Sequence, residues 1–279
     1  MSTVLVVQAL AKQYRVPFFD GLHGALGAEG VRLKVAYGDP PPTEGAKRDD
    51  VVLERPYGVH VGGRWLLGDR LFYQPVLPLA RRADLVIVEH ANKQLVNVPL
   101  LVRSRLGRGK LAFWGQGRNV LCPEDSLSER IKARTAALAD WWFAYTAGAA
   151  SYLTSHGARP DTVTVVQNAI DSRALRADIA AVAEDRLVAA RTALGIGDGD
   201  PVGLFCGSLY AGKKIDFLID AVRRVRVQLP GFHLVVVGAG PAEAALREHA
   251  AGADWIHFVG RRSGAERRPR QGSAPPDAH

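Results

Sequence analysis

Two glycine turns in the last third of the chain each follow a β-branched run and lead into a helical pattern. The first, Gly207-Ser208-Leu209-Tyr210-Ala211-Gly212-Lys213-Lys214, fits the phosphate-loop pattern G-x-x-x-x-G-K-[ST] at every position but the last. In that loop the final hydroxyl ligates Mg²⁺ and a second strand ends in an acidic ligand. Here position 214 is lysine, and neither later strand of this half ends in Asp or Glu. A nucleotide triphosphatase, which would require Mg²⁺-dependent ATP hydrolysis, is therefore disfavoured. A strand ending in a glycine turn, with helix N–H groups and Lys213 and Lys214 beside it, is still a candidate anion site. The spacing alone fits a plain βα turn with solvated lysines as well.

The second turn, in VVVGAGPAEAAL (235–246), places Gly238 and Gly240 as in a dinucleotide fingerprint but has Glu243 where the third glycine belongs. That glycine normally permits close helix–strand packing, and the next strand closes with FVG rather than an acid. A nicotinamide or flavin role is thus disfavoured, while the turn still suits a nucleotide's ribose or phosphate. In the first half, His90 closes the run ADLVIVEH, and a histidine can donate or accept a proton near neutral pH. A strand-end histidine satisfied by backbone is the alternative. Lys12 and Arg15 lie in the first βα loop, AKQYRVPFF, where ligands of parallel sheets gather; they can hold an anionic or polar acceptor or be plain surface charges.

These residues need a scaffold of parallel strands and crossover helices, and the pattern supplies one. Apolar, β-branched runs at 3–10, 31–38, 83–90, 110–117, 141–146 and 162–168 alternate with helical patterns at 17–26, 74–82, 94–105, 128–138 and 147–156. Six strands with their helices make a doubly wound domain over 1–167. Residues 168–200 read as an interdomain linker with an alanine-rich, charged helix. Strands at 201–209, 232–238 and 255–260, with helices at 214–228 and 242–251, form a second, smaller domain over 201–260. With only three strands that domain looks unfinished. The fold class expected is α/β, two Rossmann-like doubly wound units, the second incomplete.

The chain has 279 residues and a net charge of +8, of which residues 261–279 carry +3. This Arg/Pro/Gly/Ser-rich tail has no aliphatic residue larger than alanine and is expected to be disordered. The body lacks an interleaved aromatic and basic stripe, so nucleic acid is not an expected partner. No run approaches the ~18 apolar residues of a membrane span, and no leader is recognisable. A cytoplasmic location is expected. Cys122 and Cys206 stand alone, without metal-site spacing, and are expected as buried small hydrophobes. Trp65, Trp114, Trp141, Trp142 and Trp255 are expected in the core rather than as sugar platforms.

In order, GSLYAGKKIDFLIDA, HLVVVGAGPAEAALREHA and IHFVGR resemble the nucleotide-sugar-binding half of family 4 glycosyltransferases, which have the two-Rossmann GT-B fold. VVQNAID (165–171) resembles that family's interdomain crossing, and YRVPFFDGL, VIVEHAN and FWGQGRN resemble a bacterial branch of it. The resemblance spans residues 1–261. It implies hexosyl transfer with retention from a UDP- or GDP-linked sugar to a glycan or lipid-linked acceptor, in polysaccharide or glycoconjugate synthesis. No metal or other cofactor is implied, and peripheral contact with the inner face of a membrane is. By this resemblance Lys213, with Lys214 as neighbour, contacts the donor diphosphate beside Gly207; Ser208 stands where the family usually has a second cation. His90 falls at an active-site histidine, and Gln116 replaces a histidine facing the acceptor. The family's E-x₇-E pair is not found after Gly260, where Glu266 is the only glutamate. The chain therefore reads as a C-terminally truncated or frameshifted member, with an inactive remnant as the alternative function.

Overall fold

The computed structural model describes residues 1–41, 50–118 and 126–262. The chain divides into two compact units, residues 1–177 and 178–279.

The first unit opens with β1 (Thr3–Leu10), a 3-10 turn at Gln13–Arg15, α1 (Val16–Ala28) and β2 (Arg32–Gly38). Three short strands follow, β3 (Gly58–His60), β4 (Arg64–Leu66) and β5 (Leu71–Tyr73), and then α2 (Leu77–Ala80). Next come β6 (Leu85–Glu89), α3 (Asn97–Arg105), β7 (Lys110–Gly115), α4 (Leu127–Ala136), β8 (Trp141–Ala144), α5 (Ala147–Ser155) and β9 (Val163–Val165). Seven strands form one parallel sheet in the order β3-β2-β1-β6-β7-β8-β9. All six expected strands are present. β3 adds an edge, and β4 pairs with β5 in an antiparallel hairpin outside the main sheet.

Parallel strands buried on both faces read as continuous apolar runs, and β1 is one. Its alternate residues enter two cores. Leu5 and Val7 join Val86, Val88, Phe113 and Trp142 in one core, with Leu100 and Leu153 from α3 and α5. Val6 joins Leu33, Val35, Ile87 and Trp114 in the other, with Phe19 from α1. Helices α4 and α5 begin on true caps: Ser126 Oγ accepts from Glu129 N at 3.3 Å and Thr146 Oγ1 from Ala149 N at 3.0 Å. The chain runs outward from β1 in one direction through β2 and in the other through β6, so the β1/β6 boundary is the switch point of the sheet.

Two helices, α6 (Ser172–Ala180) and α7 (Glu184–Ala193), carry no buried residue. The second unit continues with β10 (Val202–Cys206), α8 (Ile215–Gln228), β11 (His233–Val237), α9 (Glu243–His249) and β12 (Ile256–Gly260), the strands parallel in that order. Among the described residues its core lies on one face only, where Ile215, Ile219 and Val222 of α8 and Leu246 of α9 cover Leu234, Val236 and Ile256. The opposite face is open, with Leu204 at 69 % exposure. Cys206 shares that face and is exposed, which corrects the expectation of a buried thiol: strand alternation points it away from the helices. Cys122 and the basic tail from residue 263 onward lie outside the described residues.

Candidate functional site

In the second unit, Cys206 and Val237 are paired in register, so the turns after β10 and β11 start side by side. They are hydrogen-bonded into one platform. Gly207 N donates to Val237 O at 3.0 Å, Leu209 N to Ala239 O at 3.1 Å, and Ala242 N back to Leu209 O at 3.0 Å. Leu209 is fully buried and anchors the platform on the core. This contact is what the glycines permit. A Cβ on Gly238 would sit 1.9 Å from Gly207 O, and one on Gly240 would sit 2.2 Å from Leu209 O. Their direct task is therefore to let two loops touch, and any nucleotide contact is made by a platform they hold shut. Glu243 needs no close strand contact, since it forms an i,i+4 pair with Arg247 at 2.8 Å.

Lys213 ends a 3-10 turn at Ala211–Lys213, is exposed, and holds Nζ 5.6 Å from the centre of the Tyr210 ring. Lys214 is the N-cap of α8 in the left-handed region, φ 53° and ψ 42°, with no side-chain cap. Uncapped helix N–H groups and two exposed lysines thus lie at the start of α8, and the half-buried Ser208 precedes them in the same turn. A left-handed residue with a Cβ costs about 1 kcal/mol. Lys214→Gly should accordingly raise the denaturation midpoint slightly; a lower midpoint would show that the Lys214 side chain holds the turn.

In the first unit, the carboxyl ends of β1 and β6 bring Lys12 and Arg15 together in a pocket of about 190 Å³ that Gln8, Trp65, Glu89 and Lys93 also line. Arg15 is 8 % exposed. Its guanidinium bonds Gln8 Oε1, donates to Tyr145 OH at 2.7 Å, lies 3.5 Å from Glu89 Oε1, and stacks 4.7 Å from the Trp114 ring centre. Burial alone would lower its pKa, but Tyr145, Glu89 and Tyr14 leave it above the ordinary arginine value. The same burial pushes the Tyr145 phenol up. Arg15 is thus a buried clamp and not a surface charge, while Lys12 at the rim is half-buried. Sequence reasoning missed Gln8, Glu89, Lys93 and Tyr145. The one available signal was that Glu89 precedes His90 at the end of a strand.

His90 turns to the other face. Its ring packs 4.5 Å from Phe113 and 4.8 Å from Trp142, and Nε2 is 2.9 Å from Thr135 Oγ1. Burial, and then the Lys132 cation, lower its pKa to about 3, against a smaller upward pull from the Gly117 backbone. Walled by aromatic rings, the imidazole is held neutral at pH 7. The linkage has a definite sign. Below pH 6.5 the unfolded histidine binds a proton that the folded one refuses, so stability falls as pH drops from 6.5 toward 3. His90→Phe should flatten this acid limb in urea titrations, and an unchanged slope between pH 6 and 4 would refute it.

Gln116 is exposed just after β7 in a hollow of about 380 Å³ with Arg118, Thr146 and Tyr152, next in the chain to the Gly117 backbone that His90 bonds. Trp114 and Trp142 are core, as expected, whereas Trp65 is half-buried and Trp141 is 37 % exposed. Among the described residues no group of three or more His, Cys, Asp or Glu side chains is placed to hold a metal ion. No helix among them is long and apolar enough to cross a membrane.

Comparison with known proteins bears on the second unit and on the fold. Residues 200–271 match the family model described as glycosyl transferases group 1. No curated protein matches the sequence. Among solved structures, the Anabaena protein HepE in complex with UDP superposes with a TM-score of 0.62 at 17 % identity, covering 94 % of this chain and 70 % of that one. The UDP-GlcNAc 2-epimerase of Methanocaldococcus jannaschii gives 0.57 at 14 % identity, covering 94 % and 74 %. The lipopolysaccharide outer core galactosyltransferase WaaB gives 0.54 at 12 % identity, covering 94 % and 69 %. The chain therefore has the parallel α/β architecture of the GT-B class, and the segment that builds its paired glycine loops matches the family model of glycosyl transferases group 1.

Proposed function

We propose that the protein is a glycosyltransferase that takes a hexosyl group from a UDP- or GDP-linked sugar and passes it, with retention, to a glycan or lipid-linked acceptor in polysaccharide or glycoconjugate synthesis. The observation that carries this reading is the pair of hydrogen-bonded loops with Lys213 at the mouth of α8, inside the segment that matches the family. Cleavage of a sugar–phosphate bond builds negative charge on the leaving diphosphate. A fixed ammonium and helix N–H groups at that place stabilise the transition state more than the ground state.

On this reading Gly207, Ser208, Lys213 and Lys214 hold the diphosphate, and Gly238 and Gly240 keep the nucleotide-facing loop in place. Lys12, Arg15 and Gln116 belong to the acceptor side. His90 is the candidate active-site residue of the first unit, a neutral imidazole at the end of β6. The lysine supplies the charge a metal would otherwise supply, so turnover should survive EDTA. HepE, described in complexes with UDP and with UDP-glucose, lends the donor class plausibility.

The test is thermal unfolding of the full chain with UDP, GDP, UDP-glucose and GDP-mannose. A donor at a hundred times its Kd stabilises by about 2.7 kcal/mol, and saturable stabilisation by one nucleotide is the expected result. No shift with any of them would sink donor binding and leave a chain that only folds or holds an acceptor.

A further inference from the structure

A cation that assists a leaving diphosphate has to be in place before the bond breaks, and a lysine is poorly suited to that by itself. The Lys213 ammonium is exposed and rides on a flexible four-carbon stem. Something in the loop must hold it still.

The loop supplies a series of supports that runs outward from the core. Leu209 is fully buried and its N donates to Ala239 O at 3.1 Å, so the backbone entering Tyr210 is fixed. Tyr210 O then accepts from Lys213 N at 2.9 Å, which closes the 3-10 turn at Ala211–Lys213. The Tyr210 ring lies against Gly212, where a Cβ would sit 3.0 Å from Cε2 and 3.4 Å from Cδ2 of the ring. Gly212 is not among the glycines with positive φ, so the turn itself does not call for a glycine; the ring is what a side chain there would crowd. Lys213 Nζ reaches over the same ring, 5.6 Å from its centre, inside the roughly 6 Å within which an aromatic face attracts an ammonium. Tyr210 is 43 % exposed, an aromatic ring left at the surface of the loop rather than packed into the core.

We propose that Tyr210 is a positioning residue for the donor cation. Its ring, seated on Gly212 and tied to the core through Leu209, holds the Lys213 ammonium where the leaving diphosphate gathers charge. Tyr210 acts through Lys213 alone, and its hydroxyl has no part in the effect. The role in donor binding rests on the glycosyltransferase reading; the ring-held ammonium does not.

Two measurements on the full chain separate these parts. In NMR spectra of the ligand-free protein with isotope-labelled lysine, the Lys213 methylene next to Nζ, identified by its loss in Lys213→Ala, should be displaced upfield by the ring. The displacement should vanish in Tyr210→Leu and persist in Tyr210→Phe. In titrations with UDP-glucose and GDP-mannose, Tyr210→Leu should weaken the donor that binds the parent by roughly two- to fivefold, the size of one exposed ring–cation contact. Tyr210→Phe should bind it as the parent does. Gly212→Ala, which keeps the ring but crowds it, should reduce both displacement and affinity, and so separates ring placement from any loss of folding in Tyr210→Leu. An undisplaced Lys213 resonance in the parent, parent-like or tighter donor binding in Tyr210→Leu, or Tyr210→Phe as weak as Tyr210→Leu overturns the proposal. A ring-dependent Lys213 resonance with neither donor bound would fail the transferase reading and keep the ring-held ammonium.

Discussion

Lys213→Ala is expected to lower turnover by about 10²–10³-fold, the loss seen when one fixed group stabilising a developing oxyanion is removed, and to abolish stabilisation by the nucleotide-sugar. The fold should hardly notice. Lys213 is exposed, with its ammonium over the Tyr210 ring, so the midpoint without ligand should stay within about 0.5 kcal/mol of the parent. Lys213→Arg keeps the charge but changes its shape, and should recover binding better than catalysis. Thermal shift and turnover read the two effects separately. Lys213→Ala with full donor stabilisation would move the diphosphate away from the mouth of α8.

The second large effect concerns stability. Arg15→Met should cost about 1–3 kcal/mol, because it strips the donor from two acceptors beside the buried guanidinium and removes the cation from a half-buried carboxylate. Here Glu89 loses its cation, while Gln8 Oε1 and the Tyr145 hydroxyl lose their donor. The Met side chain can still cover Trp114, so packing is a lesser part of the loss. Adding Glu89→Gln should restore part of it, since the stranded charge is then gone. Urea denaturation of the single and double variants measures both. A double variant no more stable than Arg15→Met would mean that the Tyr145 and Gln8 bonds, rather than the ion pair, carry the cost.

The scaffold was legible in the sequence because buried parallel strands are written as unbroken β-branched runs; TVLVVQAL and DLVIVE have no other reading in a chain of this kind. The strands that escaped, β3, β4 and β5, have three residues each, and β3 and β4 mix Gly, His and Arg with apolar residues. No period can be read from so few positions. The glycine loops were legible as turns, but their reason was not. Gly238 and Gly240 yield to the backbone of residues about thirty positions earlier, a contact that only the paired strands create.

Arg15 shows the same limit. Its partners lie at positions 8, 89 and 145, and nothing in AKQYRVPFF says that this arginine turns inward while Lys12 stays at the rim. His90 was placed correctly at a strand end, but strand alternation, which decides the core it enters, sends it among Phe113 and Trp142. A histidine at a strand tip is one residue away from facing the opposite side.

Helix α6 spans the division between the two units and α7 follows it, and neither buries a residue. A stretch with no interior to maintain is free of the packing rules that fix every other helix in the chain. Its sequence can drift, lengthen or shorten over generations at almost no cost to folding, provided it remains soluble. Selection can therefore change the length and composition of this joint without disturbing the core of either unit.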